Sequence, residues 1–295
     1  MKIELTEDIS ITTGTMYCVR VDDSSIKWFA QKEVAEKFYN DIISDPNIIK
    51  PVRNILKSEE ITLPWRKQIS KNMSSKLIGI VGQTGTGKST SIKHLNPKET
   101  YIINVAKKEL PFKGAEKLYN TESKNYKEVD DANEITRLLR TISEKAPHIK
   151  NVIIEDSNYI MGFNMLARAT EVGFTKFTIM AKDMVELFRE ARRLRDDIKV
   201  FYFTHPETIE DGGEIIGYKI KTAGKLIDNQ IVLEGLLTVC LYTFVEESKD
   251  GTATYNFVTN RFKKYPAKSP DGMFAEIKIP NNLQEVVNAI DEYYN

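Results

Sequence analysis

Disulfide chemistry has almost no material to work with here: the chain has two cysteines in 295 residues, Cys18 and Cys240. They lie far apart and show no metal-ligand spacing. That excludes a disulfide framework and a cysteine-held zinc site, and it predicts two reduced thiols inside a cell. Neither sign of charge is in excess, with 42 Lys and Arg against 42 Asp and Glu. A protein held on nucleic acid by bulk charge would be basic, so any DNA or RNA contact has to come from a local patch or an assembled surface. Long apolar runs are missing too. The most apolar stretch, IVLEGLLTVCLYTFV at 231–245, is shorter than the ~20 residues a membrane span needs, and Glu234 interrupts it. It reads as buried strand. The opening MKIELTEDIS carries acids and lacks the apolar stretch of a signal peptide. There is no internal repeat and no low-complexity tract. These absences predict a cytoplasmic protein without membrane contact, long enough for one large domain or a core plus a small extra one.

What is present divides at about residue 70. Residues 1–70 read as a small α+β N-terminal extension and linker. KIELTEDISITT and TMYCVRVDD are short, β-branched and partly alternating, as strands are. QKEVAEKFYNDIIS places Val34, Phe38 and Ile42 on one helical face, and Asp45-Pro46 stops it. Residues 71–295 alternate strands with helices, which predicts an α/β domain with a largely parallel sheet. Its strands are KLIGIVG, TYIINVA (100–106), NVIIED (151–156), KVFYFTH (199–205), LLTVCLYTFV and ATYNFVTNRF. Its helices are DANEITRLLRTISEKA (131–146, with Ile135, Leu138, Leu139 and Ile142 on one side), a long one within 175–197, and NLQEVVNAIDEYY at the C-terminal end. A further helix starts near Gly87 and Lys88, and Asn96-Pro97 ends it early, so it is unusually short.

The most informative stretch is VGQTGTGKST at 81–90. Gly82, Gly87, Lys88 and Ser89 stand in the spacing G-x-x-x-x-G-K-[ST], directly after an apolar strand, which points to a loop wrapped around the phosphates of ATP or GTP. Glycines 82, 85 and 87 let the backbone N–H groups turn inward toward phosphate oxygens. Gly82, Gln83, Thr84, Gly85, Thr86, Gly87, Lys88, Ser89 and Thr90 form the candidate nucleotide cradle, with Lys88 on the β- and γ-phosphates and Ser89 offering its hydroxyl to Mg²⁺. Two acids, Glu155 and Asp156, follow the apolar NVII. One would hold Mg²⁺, largely through water, and the other would orient and deprotonate the attacking water. The reading favours Asp156 beside Ser89 for the metal if the strand runs through Glu155, and the reverse assignment stays open. His205 ends KVFYFTH, where a polar side chain can contact the γ-phosphate and report its loss. Ligands of such sheets sit at the carboxyl ends of the strands, and Lys88, Asp156 and His205 all fall just past such ends.

Two basic segments remain. GYKIKTAGKL carries Lys219, Lys221 and Lys225 after a glycine-rich loop, EDGGEIIG, read as mobile. These lysines suit nucleic-acid phosphates, a neighbouring subunit's ATP site, or no more than a solvated loop. RFKKYPAKSPDGMF puts Arg261, Lys263, Lys264 and Lys268 near Phe262 and Tyr265, a mixture that suits single-stranded nucleic acid and equally an ordinary hairpin surface. His94, His148 and the cationic REARRLRDD are read as solvated surface.

The order of GQTGTGKST, YIINVAKKELPFKG, VIIEDSNYIM, TKFTIMAKDMVELFREARRLRDDIKVFYFTHPE, YKIKTAGKLIDNQIVLEGLLTVCLYT and AKSPDGMFAEIKIPNNLQEVVNAIDEYY resembles the phage-encoded AAA-domain ATPases of the core-only RecA-like type. The resemblance runs from about residue 76 to the end. It implies a RecA-like P-loop NTPase fold, ATP and Mg²⁺ as cofactors, subunit assembly on DNA as a homo-oligomer, and a role in single-strand DNA annealing and recombination, alongside phage replication or recombination proteins in the host cytoplasm. Lys88, Ser89 and Asp156 match its nucleotide motifs, His205 the phosphate-sensing position, and Lys221 and Lys225 the region that reaches a neighbour. RecA proteins keep a catalytic glutamate after the second core strand, where this chain has Asn104, with Glu109 further on. The catalytic base is thus open among Glu109, Glu155 and Asp156. The expectation is a Mg²⁺-dependent ATPase of phage DNA recombination or replication that binds single-stranded DNA as an oligomer. The alternatives are a motor or loader ATPase, for helicase loading or DNA packaging, and an ATP-gated binding switch with little turnover.

Overall fold

A computed structural model describes residues 3–10, 14–21, 24–29, 31–44, 74–222 and 232–294. The chain divides into two compact units, Met1–Ser70 and Lys71–Asn295. In the first, strands β1 (Ile3–Ser10), β2 (Gly14–Val21) and β3 (Ser24–Phe29) form an antiparallel sheet in sequence order, and helix α1 (Lys32–Ser44) packs on it. The helix face differs from the expected one. Ala35 is fully buried, Phe38 is half-buried and Val34 is exposed. The small Ala35 lets the helix sit close to the sheet, so the buried face centres one residue beyond Val34. Asp45-Pro46 and the linker lie outside the described residues.

The second unit is built on an eight-stranded sheet. Its members are β4 (Lys76–Val81), β5 (Thr100–Asn104), β6 (Tyr126–Glu128), β7 (Asn151–Glu155), β8 (Lys199–Thr204), β11 (Val239–Glu247), β12 (Ala253–Val258) and β13 (Lys278–Pro280), in the order β13-β12-β11-β4-β8-β7-β5-β6. The six strands from β11 to β6 run parallel, and the β11-β12-β13 edge is antiparallel. Between β8 and β11 the chain forms a separate hairpin, β9 (Pro206–Asp211) and β10 (Glu214–Ile220). The stretch read as a mobile loop is thus an ordered turn. Gly212 and Gly213 both have positive φ (58° and 85°), as the tight turn of a two-residue hairpin requires.

Strands buried on both faces read as unbroken apolar runs, and KLIGIV shows why. Leu77 and Val81 point into one core, Ile78 and Ile80 into the other. The first core takes Ile135, Leu139 and Ile142 from α3 (Ala132–Lys145), Ile160 and Met161 from α4 (Tyr159–Ala167), and Met184, Leu187 and Ala191 from α5 (Thr175–Arg192). Short α2 (Ala115–Leu118) and α6 (Leu233–Leu236) fill connections, so the opening of the apolar run at 231–245 is helix rather than strand. The second core is closed by Ile92 from a short 3₁₀ segment, Ser89–His94, by Leu95 directly after it, and by Leu283, Val286, Val287 and Ile290 from α7 (Leu283–Tyr294). The 3₁₀ segment stands where a full helix normally follows such a loop. Asn96-Pro97 leaves it no room to grow, and the C-terminal helix covers the exposed sheet face.

This topology decides where a ligand can sit. From β4 the chain departs toward β5 on one side, and from β8 it returns past β4 to β11 on the other. Such a reversal opens a crevice at the carboxyl ends of the strands. Register gathers the ends: Val81 pairs with Thr204 and Tyr242, and Asn104 pairs with Glu155.

Candidate functional site

The glycine-rich loop leaves β4 at Gly82, whose N–H donates to Thr204 O at 3.1 Å. A Cβ at Gly82 would lie 1.8 Å from Thr243 Oγ1, so only glycine fits between the loop and β11. Gly87 has φ of +89°, and a Cβ there would press on Tyr255 and Asn281 at 3.1 and 3.2 Å. The loop is tied in place by hydroxyls: Thr86 Oγ1 donates to Gln83 O at 2.7 Å and shares a 2.7 Å hydrogen bond with Thr243 Oγ1. Lys88 is folded back into the loop, donating to Gly82 O at 2.7 Å and Gln83 O at 3.1 Å. Burial lowers the Lys88 pKa, with Glu155 and Asp156 opposing that shift.

The two acids sit at the end of β7 with distinct surroundings. Glu155 is fully buried, and its Oε1 accepts a hydrogen bond from Ser89 Oγ. Its Oε2 has no hydrogen-bond partner. Burial first, and then the neighbouring Asp156, push the Glu155 pKa up to about 7 against the pull of Ser89, Lys108 and Lys88. Asp156 takes a left-handed backbone (φ 55°), which Asp tolerates better than most residues. The turn directs its side chain toward Lys108 and toward His205 Nε2, which is 3.6 Å from Oδ1. Burial opposes ionisation of Asp156, but His205 and Lys108 outweigh it and hold the pKa below the ordinary carboxylate value. The expected pairing of Ser89 with Asp156 is therefore replaced. Although β7 runs through Glu155, the left-handed turn swings Asp156 away and leaves Glu155 facing Ser89.

In front of these groups opens a cleft of about 750 Å³. The glycine-rich loop from Gln83 to Thr90 lines it, together with Glu109 and His205. Tyr255, Asn281, Asn282 and Glu285 line it too, Tyr255 and Asn281 close to Gly87. Glu109 is exposed and lines the cleft next to Lys108. Asn104 is fully buried, and its Nδ2 donates to Lys108 O at 2.6 Å and Tyr126 Oη at 2.7 Å.

The basic candidates among the described residues do not line this cleft. Lys219 pairs with Glu207 across the β9–β10 hairpin at 3.7 Å. Lys221 donates its N–H to His205 O at 2.9 Å and borders a small apolar cavity with Tyr202 and Ile220. Lys225 lies outside the described residues. Lys263 and Lys264 occupy the turn between Phe262 and Tyr265, and Lys268 bridges to Cys240. Phe262 and Tyr265 are committed to a packed aromatic group with Phe244 and Tyr218.

Sequence reasoning missed Lys108, Thr243, Tyr255 and Asn281. Lys108, Thr243 and Asn281 lie inside stretches quoted for the resemblance and Tyr255 in the strand ATYNFV, but nothing in their local spacing marks them for the site. For Thr243 a faint signal exists, since a polar residue ends the apolar run VCLY.

Searches of the chain against protein-family models and against curated proteins return no match. Among the described residues no helix is long and apolar enough to cross a membrane.

Proposed function

We propose that the second unit is a Mg²⁺-dependent, RecA-like P-loop ATPase. The observation that carries this reading is the meeting of the buried Glu155 carboxylate with Ser89 Oγ, a residue of the glycine-rich loop that lines a cleft large enough for a nucleotide.

The donors fit a hard divalent cation: the Ser89 hydroxyl and a Glu155 carboxylate whose Oε2 is buried without a partner. When bound, the ion would draw charge from the phosphate oxygens of the nucleotide. Lys88 exchanges the loop carbonyls for the β- and γ-phosphates, and the loop's N–H groups surround them. Tyr255 and Asn281, which line the same cleft, would be available to the ribose and base. Asp156 orients a water for in-line attack. A bond forms from the water oxygen to the γ-phosphorus, the bond from that phosphorus to the bridging oxygen breaks with its electron pair staying on ADP, and the water proton passes to Asp156 and on to solvent. His205, beside Asp156 on the adjacent strand end, is placed to register departure of the phosphate to the β9–β10 hairpin that begins at the next residue.

Action on single-stranded DNA, as a homo-oligomer in phage recombination or replication, rests on the sequence resemblance. Steady-state ATP hydrolysis, measured with no nucleic acid, single-stranded DNA, duplex DNA or RNA at low and moderate salt, tests both levels. Stimulation by single-stranded DNA supports the recombination role. Turnover unaffected by any nucleic acid keeps the ATPase and removes the DNA role, and no turnover under any condition removes the ATPase.

A further inference from the structure

We propose that Lys108 is a mobile cation acting within its own subunit, which leaves Asp156 for the terminal phosphate when a nucleoside triphosphate binds. The inference rests on reading the cleft as a nucleotide site.

Three observations converge on this lysine. Its ammonium contacts Asp156 and lies 4.0 Å from Glu155 Oε1, so one cation serves two almost fully buried acids. Its side chain is 48% exposed and borders the cleft beside Lys88 and Ser89, so the head can move without disturbing the core. Its main chain, by contrast, is held. Asn104 clamps the Lys108 carbonyl, and the preceding Lys107 has φ of 54° with its own ammonium on Asp130 at 2.7 Å. A fixed backbone with a four-carbon stem gives the ammonium a short defined reach.

The direction of transfer follows from charge. Ser89 and Glu155 would hold a divalent cation, whose two positive charges would lie next to the Lys108 ammonium and would take its place in neutralising the acids. A terminal phosphate offers that ammonium a new anion within the same cleft. Both effects act over a few ångströms in a poorly solvated site, where Coulomb interactions are strong. A diphosphate brings the metal but no γ-phosphate, so it offers the ammonium no new anion and the lysine stays on Asp156. Triphosphate binding therefore releases the carboxylate that faces the attacking water. Asn104, which stands where the resembled proteins keep a glutamate, is on this account a positioning residue for Lys108.

The test compares binding of Mg·ADP and of a non-hydrolysable Mg·ATP analogue to the full-length protein by calorimetry, for the wild type, Lys108→Met and Lys108→Arg. Lys108→Met should weaken the triphosphate analogue by about 10- to 100-fold, the loss of one charge-assisted contact, and leave ADP unchanged. Lys108→Arg keeps the charge and should keep most of the preference for triphosphate. Equal losses for both nucleotides, or no loss for either, in these variants would overturn the proposal, because a lysine that only neutralises the acids cannot distinguish the ligands. Wild-type protein that binds neither nucleotide would instead remove the nucleotide site itself. Should Lys108→Met fail to fold, the Arg variant decides: retained preference supports the proposal, and parallel loss overturns it.

Discussion

Replacing Glu155 by Gln should make the stability of the nucleotide-free protein less sensitive to pH. In the folded protein Glu155 holds its proton up to about pH 7, whereas its ordinary value is 4.5. Between those values the unfolded chain has already released the proton and the folded chain has not. Raising the pH through this window therefore favours unfolding. The loss is absent below about pH 4.5, accumulates toward pH 7 and then levels off. A gap of about 2.5 between the two pKa values corresponds to about 3 kcal/mol. Gln keeps the shape and can still accept from Ser89, but it never ionises. Relative to wild type, Glu155→Gln should therefore gain about 3 kcal/mol between pH 4.5 and pH 8, or roughly 6–12 °C in midpoint for a domain of this size. Asp156 does not confuse the comparison, because its depressed pKa places its own loss at pH values below the ordinary carboxylate range and in both proteins alike. Thermal melts of both proteins with a chelator present, at intervals from pH 4.5 to 8, measure the difference directly. Parallel curves across that range would refute the claim that this buried carboxyl is held protonated near neutrality. With saturating Mg·ATP the order should reverse, since the variant lacks the charge proposed to hold the metal.

Lys88→Ala should abolish Mg·ATP binding by calorimetry and hydrolysis with it; unchanged turnover would remove the role given to the loop. Gly82→Ala forces its Cβ against Thr243 Oγ1 and should destabilise the protein by about 1–3 kcal/mol in urea unfolding. Adding Thr243→Ala should recover part of that loss, and strict additivity would count against the close approach. The Asp131 carboxylate accepts from Glu134 N at 2.8 Å and caps α3, so Asp131→Ala should cost about 1 kcal/mol in the same assay while leaving nucleotide affinity unchanged.

Much of the second unit could be read from local pattern. KLIGIV, NVIIE and KVFYFT are apolar on both faces, which announces strands covered on both sides. Ile135, Leu139 and Ile142 recur at the helical period and are buried as that period requires. Gly87, Lys88 and Ser89 line the cleft together, and Gly82 packs under the same loop, because their spacing is local. The hairpin was less legible: EDGGEIIG has the glycines of a loop, and only its pairing with PETIED makes a tight turn of them. In α1 the sequence pointed to Val34, and close packing on the sheet selected Ala35.

What the chain's linear order determined by itself is which residues lie on which face, because the periods of strand and helix act over a few residues. What only the tertiary structure decided is which strand ends become neighbours and where each end residue points. The insertion of β8 between β4 and β7 brings His205 to Asp156. The left-handed turn at Asp156 gives Ser89 to Glu155, and the buried Asn104 carries Lys108 to both acids. These choices depend on strand order, on one backbone angle and on one hydrogen bond between residues four apart; the strand order is settled by packing between segments far apart in the chain, and the two local features act on the site only once that order has set the strand ends side by side.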